Sequence, residues 1–132
     1  LIDLIVSPAM GAVIIGSKIG EEFDKKAIFL ERVNKKFTLR RGFQIPKKTR
    51  VLIIEDVITT GKSSAECINC VESFGGEVLG LASIVDRSEK DLNLGIDTIS
   101  LLKINAPTYS YNNLPKKLEN IPIDKPGSRF LV

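Results

Sequence analysis

Short apolar runs separated by polar stretches recur along the chain and predict five buried strands. Each run is continuous or nearly so over five to ten residues, a length that favours a strand over a helix. The predicted strands are residues 3–7, 27–33, 50–55, 77–86 and 97–103. The run at residues 50–55 (RVLIIE) is strongly apolar, and the most informative polar residues of the chain follow it directly.

Two stretches between these runs predict helices. Residues 62–74 are followed by a glycine pair that is typical of a helix C-cap. Their apolar side chains have the i, i+3, i+4, i+7 spacing of a buried helix face: Cys67, Cys70, Val71 and Phe74. Residues 11–23 predict the other helix, although two internal glycines lower its helix propensity. The pattern also predicts a turn at 34–36, a loop at 37–42 and an irregular tail from residue 106.

Strands that alternate with helices, each strand nearly all apolar, predict an α/β fold with a Rossmann-like parallel sheet flanked by helices on both faces. The length fits one domain with a single core, residues 1–132. Sheets of this kind bind ligands at the carboxyl ends of their strands. Three loops begin at such ends: the first loop (residues 7–12, SPAMGA), the central loop (55–63, EDVITTGKS) and the third loop (86–90, DRSEK).

The composition excludes several reaction classes. The chain has no histidine, which excludes Ser-His and Cys-His nucleophile pairs, a histidine general base and a histidine-ligated metal. Its two cysteines lack the second pair of ligands that a zinc site needs, and their spacing favours core packing over a redox pair. Two cysteines without a signal peptide indicate a reducing, cytoplasmic environment.

The first residues have the pattern of a strand inside a domain. Residues 1–17 are largely apolar, but Pro8 interrupts them and the run is short for a membrane span. A buried strand followed by a helix is the simpler interpretation, so we predict no membrane association. Leu1 is not a start methionine. We therefore expect a fragment whose natural N-terminus is missing.

Positive charge is concentrated in one segment. Residues 31–50 carry a net charge of +7, whereas the whole chain carries +3, so the remainder is acidic. The basic residues of the segment are Arg32, Lys35, Lys36, Arg40, Arg41, Lys47, Lys48 and Arg50. Such a segment favours a polyanionic ligand. Nucleic acid is not predicted, because aromatic residues do not flank the segment as a stacking platform requires. A solvated basic hairpin without a ligand is the alternative.

The central loop combines phosphate donors with sugar acceptors. A loop between a strand and a helix offers free backbone N–H groups and the positive end of the helix dipole, and both favour phosphate. Gly61 allows close backbone approach, Lys62 adds charge, and threonine and serine hydroxyls add donors. Glu55 and Asp56 are good acceptors for sugar hydroxyls and can help to hold Mg²⁺. The loop therefore predicts a site for ribose carrying a 5′-phosphate.

Other interpretations of the central loop explain less of it. A nucleotide-binding P-loop needs a glycine where the chain has Asp56. A phospho-acceptor aspartate, as in a receiver domain, would not account for the stretch rich in Thr, Gly and Ser that follows. A helix N-terminus with surface acids and no ligand remains as the third alternative.

Several stretches resemble one known family. VLIIEDVITTGKSS resembles the motif that binds 5-phosphoribosyl 1-pyrophosphate (PRPP) in the type I phosphoribosyltransferases, and the first loop resembles their pyrophosphate-binding loop. FLERVNKKFTLRRGF, ASIVDRS and KPGSR resemble segments of one branch of the orotate phosphoribosyltransferases. The resemblance runs from Asp3 to Arg129. It implies the type I phosphoribosyltransferase fold, with the N-terminal hood segment of that family missing from this chain.

The resemblance implies transfer of a phosphoribosyl group from PRPP to orotate, which yields orotidine 5′-monophosphate and pyrophosphate in pyrimidine (UMP) biosynthesis. It places PRPP contacts along the central loop: Glu55, Asp56, Val57, Ile58, Thr59, Thr60, Gly61, Lys62 and Ser63. Within that set the two acids would bind the ribose hydroxyls, and residues 59–63 the 5′-phosphate. Backbone contacts to pyrophosphate would come from Ala9, Met10 and Gly11. Orotate would meet Thr59 and Arg87, and the implied catalytic residues are Arg32, Lys36 and Asp56.

The resemblance also implies a cofactor and an assembly. Mg²⁺ would be carried by PRPP near Asp56, without a metal site formed by the protein alone. Arg32 and Lys36 match basic positions that reach pyrophosphate, often across the interface of a homodimer with shared active sites. Many members have a lysine and a histidine where this chain has Val33 and Thr38. The basic residues available in their place are Lys35, Arg40 and Arg41.

Two other functions share the central loop. A purine phosphoribosyltransferase would use the same PRPP motif, but would not be expected to share ERVNKKFTLRRGF or KPGSR. A PRPP-sensing regulatory module would keep the loop without catalysis. Turnover with orotate or with a purine base, measured beside PRPP binding, separates the three functions.

Overall fold

Six strands form a single sheet in the order β3-β2-β1-β4-β5-β6. The computed structural model describes residues 1–89, 91–107, 109–122 and 124, so the KPGSR stretch lies outside the described residues. The strands are β1 (Leu4–Pro8), β2 (Lys26–Val33), β3 (Lys36–Thr38), β4 (Arg50–Ile58), β5 (Glu77–Asp86) and β6 (Asp97–Lys103). The helices are α1 (Val13–Phe23) and α2 (Lys62–Ser73), and two short 3₁₀ turns follow (Tyr111–Asn113 and Lys116–Leu118).

The sheet is mostly parallel, and β3 is the exception. Strand β1 pairs in parallel with β2 and β4, β4 pairs with β5, and β5 with β6, whereas β2 and β3 are antiparallel. The prediction of a loop at 37–42 was therefore wrong at its start. Asn34 and Lys35 both have positive φ, 49° and 66°, which suits a two-residue hairpin turn and brings Val33 opposite Lys36.

Strand β4 is longer than its apolar run predicts. The pattern ends at residue 55, but β4 continues to Ile58, because the longer strand β5 keeps pairing with it as far as Ile58 and Asp86. Glu55, predicted as the last residue of the strand, and Asp56, predicted just beyond it, therefore both lie inside the strand. Since neighbouring residues of a strand point to opposite faces of the sheet, the two acids are directed to different sides.

The two helices cover opposite faces of the sheet. The main core cluster lies under α2, where Val71 packs with Val51, Ile53 and Leu81, all essentially buried. Helix α1 lies close on β1, and a Cβ atom added at Gly16 would come within 2.0 Å of the Ser7 Oγ. A glycine that lowers helix propensity is thus needed for this close approach. Among the described residues, no helix is long and apolar enough to cross a membrane.

The buried face of α2 is shorter than its spacing predicts. Cys67 and Val71 are buried and Cys70 is half-buried, but Phe74 is 41% exposed. The prediction for Phe74 was wrong because α2 ends at Ser73, and Phe74 is the C-cap residue just beyond the helix. Both cysteines are free thiols, in agreement with a packing role.

We expect Ile53→Ala to lower the free energy of unfolding by about 2–5 kcal/mol, because the substitution leaves a cavity in a fully buried site at the centre of the sheet. Leu101→Ala is the matched control, since Leu101 is 84% exposed on β6 and its truncation should change stability by less than about 0.5 kcal/mol. Urea unfolding followed by circular dichroism measures both. Equal losses would show that the core is not centred on β4.

Candidate active site

A cavity of about 600 Å³, the first cavity, opens at the carboxyl ends of β1, β2 and β4. It brings together the first loop, the central loop and the end of the β2 strand. Its wall consists of Pro8, Ala9, Gly11, Arg32, Lys35, Glu55, Asp56, Val57, Thr59, Thr60, Lys62, Ser63 and Glu66. Most of the residues singled out from the sequence therefore share one site, and a parallel sheet accounts for this because its carboxyl ends meet at one edge.

The first loop and the central loop meet at Gly11 and Asp56. A Cβ atom added at Gly11 would lie 1.9 Å from Asp56 Oδ2, so the absence of a side chain at Gly11 makes room for the carboxylate. Asp56 Oδ1 also accepts a hydrogen bond from the backbone N–H of Val57, at 2.8 Å. These contacts place the Asp56 carboxylate between the two loops. Ala9 lines the same cavity, and the Ala9–Met10 peptide is cis.

Glu55 occupies the opposite, α2 side of the sheet. Its side chain is 3% exposed, and Ser64 Oγ of α2 donates a hydrogen bond to Glu55 Oε1 at 3.2 Å. Burial raises the pKa of Glu55 to about 7; the Ser64 hydrogen bond opposes this rise, and the nearby Asp56 charge adds to it. Glu55 is thus a carboxyl group that titrates near neutral pH.

The end of the central loop forms the start of α2. Gly61 is the N-cap residue with φ +73°, a left-handed conformation that favours glycine, and the helix begins at Lys62. Thr60 Oγ1 accepts a hydrogen bond from the Lys62 N–H, at 3.4 Å. Thr59, Thr60 and Ser63 line the first cavity beside this helix terminus. Free N–H groups, hydroxyls and the positive end of the helix dipole are thus grouped as an anion requires.

Arg32 completes the positive side of the first cavity. Its Nη2 donates to Ser63 Oγ at 3.1 Å, and its Nη1 donates to the carbonyl oxygen of Lys35 at 3.0 Å. The guanidinium carbon lies 3.9 Å from the centre of the Phe37 ring, and Arg32 forms an ion pair with Glu66. Arg32 therefore faces the central loop of its own chain.

The other basic residues of the 31–50 segment have different positions. Lys35 lines the first cavity, whereas Lys36 is exposed on β3 outside the cavity wall. Arg41 donates two hydrogen bonds to Glu31, at 3.0 and 2.9 Å. Arg50 lies at the start of β4 and binds Asp3, at the amino ends of the strands and therefore opposite the cavity. Only part of the local positive charge is therefore available to a ligand here.

A second cavity of about 620 Å³ lies on the other side of the central loop. Arg87 and Thr59 both line it, and the backbone N–H of Arg87 donates to the Ile58 carbonyl oxygen at 2.7 Å. This bond fixes the start of the third loop against the central loop. Leu92 closes the cavity over Gly61, where an added Cβ atom would meet Leu92 Cδ2 at 2.7 Å. The cavities share the residues Thr59, Thr60 and Lys62.

Glu66 and Leu92 are among the cavity residues that the sequence did not predict. Glu66 lines the first cavity, and a signal existed, because Ser63 and Glu66 are three residues apart on one helix face. Leu92 had a weaker signal. Leu92, Leu94 and Ile96 alternate with other residues and all three pack against the core, but the alternation does not indicate that Leu92 lies on Gly61.

The family comparison agrees with this geometry. The model of the phosphoribosyl transferase domain matches residues 2–116. A protein named orotate phosphoribosyltransferase from Sphingopyxis alaskensis is 50% identical over 99% of this chain, which covers 67% of that protein. The protein of the same name from Erythrobacter litoralis is 49% identical over 97% of this chain, which covers 66% of that protein. The one from Caldanaerobacter subterraneus is 43% identical over 98% of this chain, which covers 68% of that protein. The chain thus spans about two thirds of the length of these relatives.

Solved structures give the same fold with less sequence similarity. Adenine phosphoribosyltransferase from Thermoanaerobacter pseudethanolicus has a TM-score of 0.66 at 22% identity, over 79% of this chain and 71% of that one. Orotate phosphoribosyltransferase from Aeropyrum pernix has a TM-score of 0.64 at 22% identity, over 77% and 60%. The fold is common to enzymes named for different bases, whereas the identities of 43–50% fall on proteins named for orotate. The chain belongs to the phosphoribosyltransferase family and, within it, to the orotate phosphoribosyltransferases.

Proposed function

We propose that the protein transfers the 5-phosphoribosyl group of PRPP to orotate, releasing pyrophosphate and forming orotidine 5′-monophosphate for UMP synthesis. The observation that carries this proposal is the contact of Asp56 with Gly11. It joins a phosphate-binding helix terminus, a sugar acceptor and a second backbone loop in one cavity. PRPP has a 5′-phosphate, a ribose and a pyrophosphate, and the cavity offers a suitable partner for each.

The first cavity divides these partners among its walls. Residues 59–63 hold the 5′-phosphate through the N-terminus of α2 and its hydroxyl groups. Asp56 accepts hydrogen bonds from the ribose hydroxyls, and Glu55, which lines the same cavity from the other face of β4, assists it in its ionised form. The backbone of the first loop and the Arg32 guanidinium face the pyrophosphate. Lys36 is exposed on β3, and we assign it to pyrophosphate bound by a partner subunit of a homodimer.

The reaction needs charge stabilisation more than a protein nucleophile. The bond from the anomeric carbon to pyrophosphate breaks as the bond to the orotate ring nitrogen forms, and positive charge develops on the ribose. Carboxylates beside the ribose stabilise this charge, and Arg32 stabilises the departing pyrophosphate. The Asp56 carboxylate would also suit Mg²⁺ bound with PRPP, and the metal would neutralise part of the pyrophosphate charge.

The second cavity suits orotate. Arg87 can pair with a planar carboxylate, and Thr59 belongs to the walls of both cavities, so the base and the ribose would approach one another at Thr59. The relatives at 43–50% identity support orotate over a purine base, because each is named for orotate. Two free cysteines support a cytoplasmic location.

When the full-length protein is added to a mixture of orotate, PRPP and Mg²⁺, the orotate absorbance should fall. The absorbance should stay constant when PRPP is left out. Adenine, guanine and hypoxanthine are tested in parallel with PRPP. Turnover with a purine base and none with orotate would contradict the proposal and favour a purine phosphoribosyltransferase. Tight PRPP binding without turnover of any base would favour a regulatory PRPP sensor.

Gly11→Ala should weaken PRPP binding roughly 10- to 100-fold. The new methyl group would occupy the position of the Asp56 carboxylate, and hydrogen bonds to charged groups contribute about 1.5–3 kcal/mol. The φ of Gly11 lies outside the left-handed region, so the conflict is steric. Isothermal titration calorimetry measures the affinity, and Asp56→Asn should produce a loss of similar size.

Gly42→Ala is the control for Gly11→Ala. It adds the same methyl group where no atom lies within 4 Å, and the backbone strain from its φ of +75° falls in a loop that lines neither cavity. PRPP affinity should stay at the wild-type value in this variant. A Gly11→Ala protein that keeps wild-type affinity would show that Asp56 does not contact PRPP from this position.

PRPP affinity should rise with pH until about pH 7 and then level off. The reason is that the ionised form of Glu55 accepts the hydrogen bonds that the ribose hydroxyls donate. The pKa of Glu55 is raised from 4.5 to about 7, so below pH 7 binding must release its proton, at a cost of about tenfold in affinity per pH unit. In the Glu55→Gln variant the side chain at position 55 cannot titrate. The pH dependence of PRPP affinity in this variant therefore reports the protonation of PRPP itself. Parallel profiles for the wild type and this variant would rule out a titrating role for Glu55.

A further inference from the structure

Glu66 is a carboxylate in the wall of the first cavity, the site proposed for PRPP. On charge alone it disfavours PRPP, since like charges repel. Its side chain forms an ion pair with Nη1 of Arg32, and the two side chains are 33% and 27% exposed, so both are partly shielded from solvent. We propose that Glu66 is a positioning residue that holds the Arg32 guanidinium against the N-terminus of α2, ready for the phosphates of PRPP. The inference rests on the proposed function, because PRPP is the ligand that benefits.

The Arg32 guanidinium is fixed from several directions. The Phe37 ring packs against its face, the Lys35 carbonyl oxygen accepts from Nη1, and the Ser63 hydroxyl accepts from Nη2. Glu66 is the one charged group in this set. The contacts leave part of the guanidinium N–H donors unused, so a phosphate oxygen can be bound without breaking them.

The position of Glu66 on α2 explains how it can act on Arg32. Ser63 and Glu66 are one helical turn apart and project from the same side of the helix. Both contact Arg32, so the start of α2 supplies a hydroxyl and a carboxylate to one guanidinium. An arginine side chain has several rotatable bonds, and fixing it only when the ligand arrives would cost conformational entropy. Glu66 removes this cost in advance.

Positioning and simple electrostatics predict opposite results for one substitution. Glu66→Gln removes a negative charge from a polyanion site, so electrostatics alone predicts tighter PRPP binding. If Glu66 holds Arg32, the same substitution weakens binding, because an amide is a poorer partner for a guanidinium than a carboxylate. The direction of the change therefore decides between the two.

We expect Glu66→Gln to weaken PRPP binding roughly tenfold by isothermal titration calorimetry, and Glu66→Asp to recover part of that loss because its carboxylate is retained. Glu72→Gln is the matched control, since Glu72 is an exposed residue of the same helix, and its affinity should equal that of the wild type. In an Arg32→Gln background, Glu66→Gln should have no further effect, because Glu66 acts through Arg32. Additive losses in the two substitutions would overturn the proposal, as would tighter binding by Glu66→Gln.

A second measurement does not depend on the proposed function. In ¹H–¹⁵N spectra of the ligand-free protein, the Arg32 Nε–H resonance should be distinct in the wild type and in Glu66→Asp. It should shift toward the exchange-averaged position of free arginine side chains in Glu66→Gln. An unchanged resonance would overturn the positioning role whatever the protein binds. An altered resonance in a protein that fails to bind PRPP would instead leave Glu66 as the anchor of Arg32 and reject the proposed function.

Discussion

The alternation of side chains along β4 is the constraint on which the site depends. This strand is hydrogen-bonded to β1 on one side and β5 on the other, so its register cannot shift without disrupting both pairings. Because the pairing with β5 continues to Ile58, Glu55 and Asp56 are held as strand residues. One acid faces α2 and the other faces the first loop, and each therefore has a different environment.

The different environments give the two acids different properties. Glu55 is buried against Ser64 and titrates near neutral pH, whereas Asp56 stands between two loops with access to a ligand. Two adjacent carboxylates on the same face would repel each other in a confined space. Their placement on opposite faces of one strand lets both line the same cavity while the sheet separates them.

Much of the fold followed from the sequence. The β5 and β6 boundaries were predicted as the structure has them, since apolar runs bounded by polar residues mark strands. The expected burial of β6 was wrong, because β6 is an edge strand and six of its seven residues are exposed. The hairpin strand β3 was not predicted, because three residues carry too little periodicity and its turn depends on positive φ at Asn34 and Lys35. The acids were expected at the end of β4 and lie inside it, because the pairing that extends this strand is set by β5 and is not visible in the local pattern. For the site, residue types and loop positions predicted the first cavity, but not the ion pair of Glu66 with Arg32 or the contact of Leu92 with Gly61.

The tight turn between β2 and β3 has an evolutionary consequence. It sets the register that places Arg32 opposite Phe37, and the guanidinium lies on that ring. One residue inserted or deleted at the tip would reverse the alternation of β3 and turn the ring to the other face of the hairpin. The two turn residues can therefore be replaced by others that tolerate positive φ. The number of turn residues cannot change, because the contact of Arg32 with Phe37 depends on it.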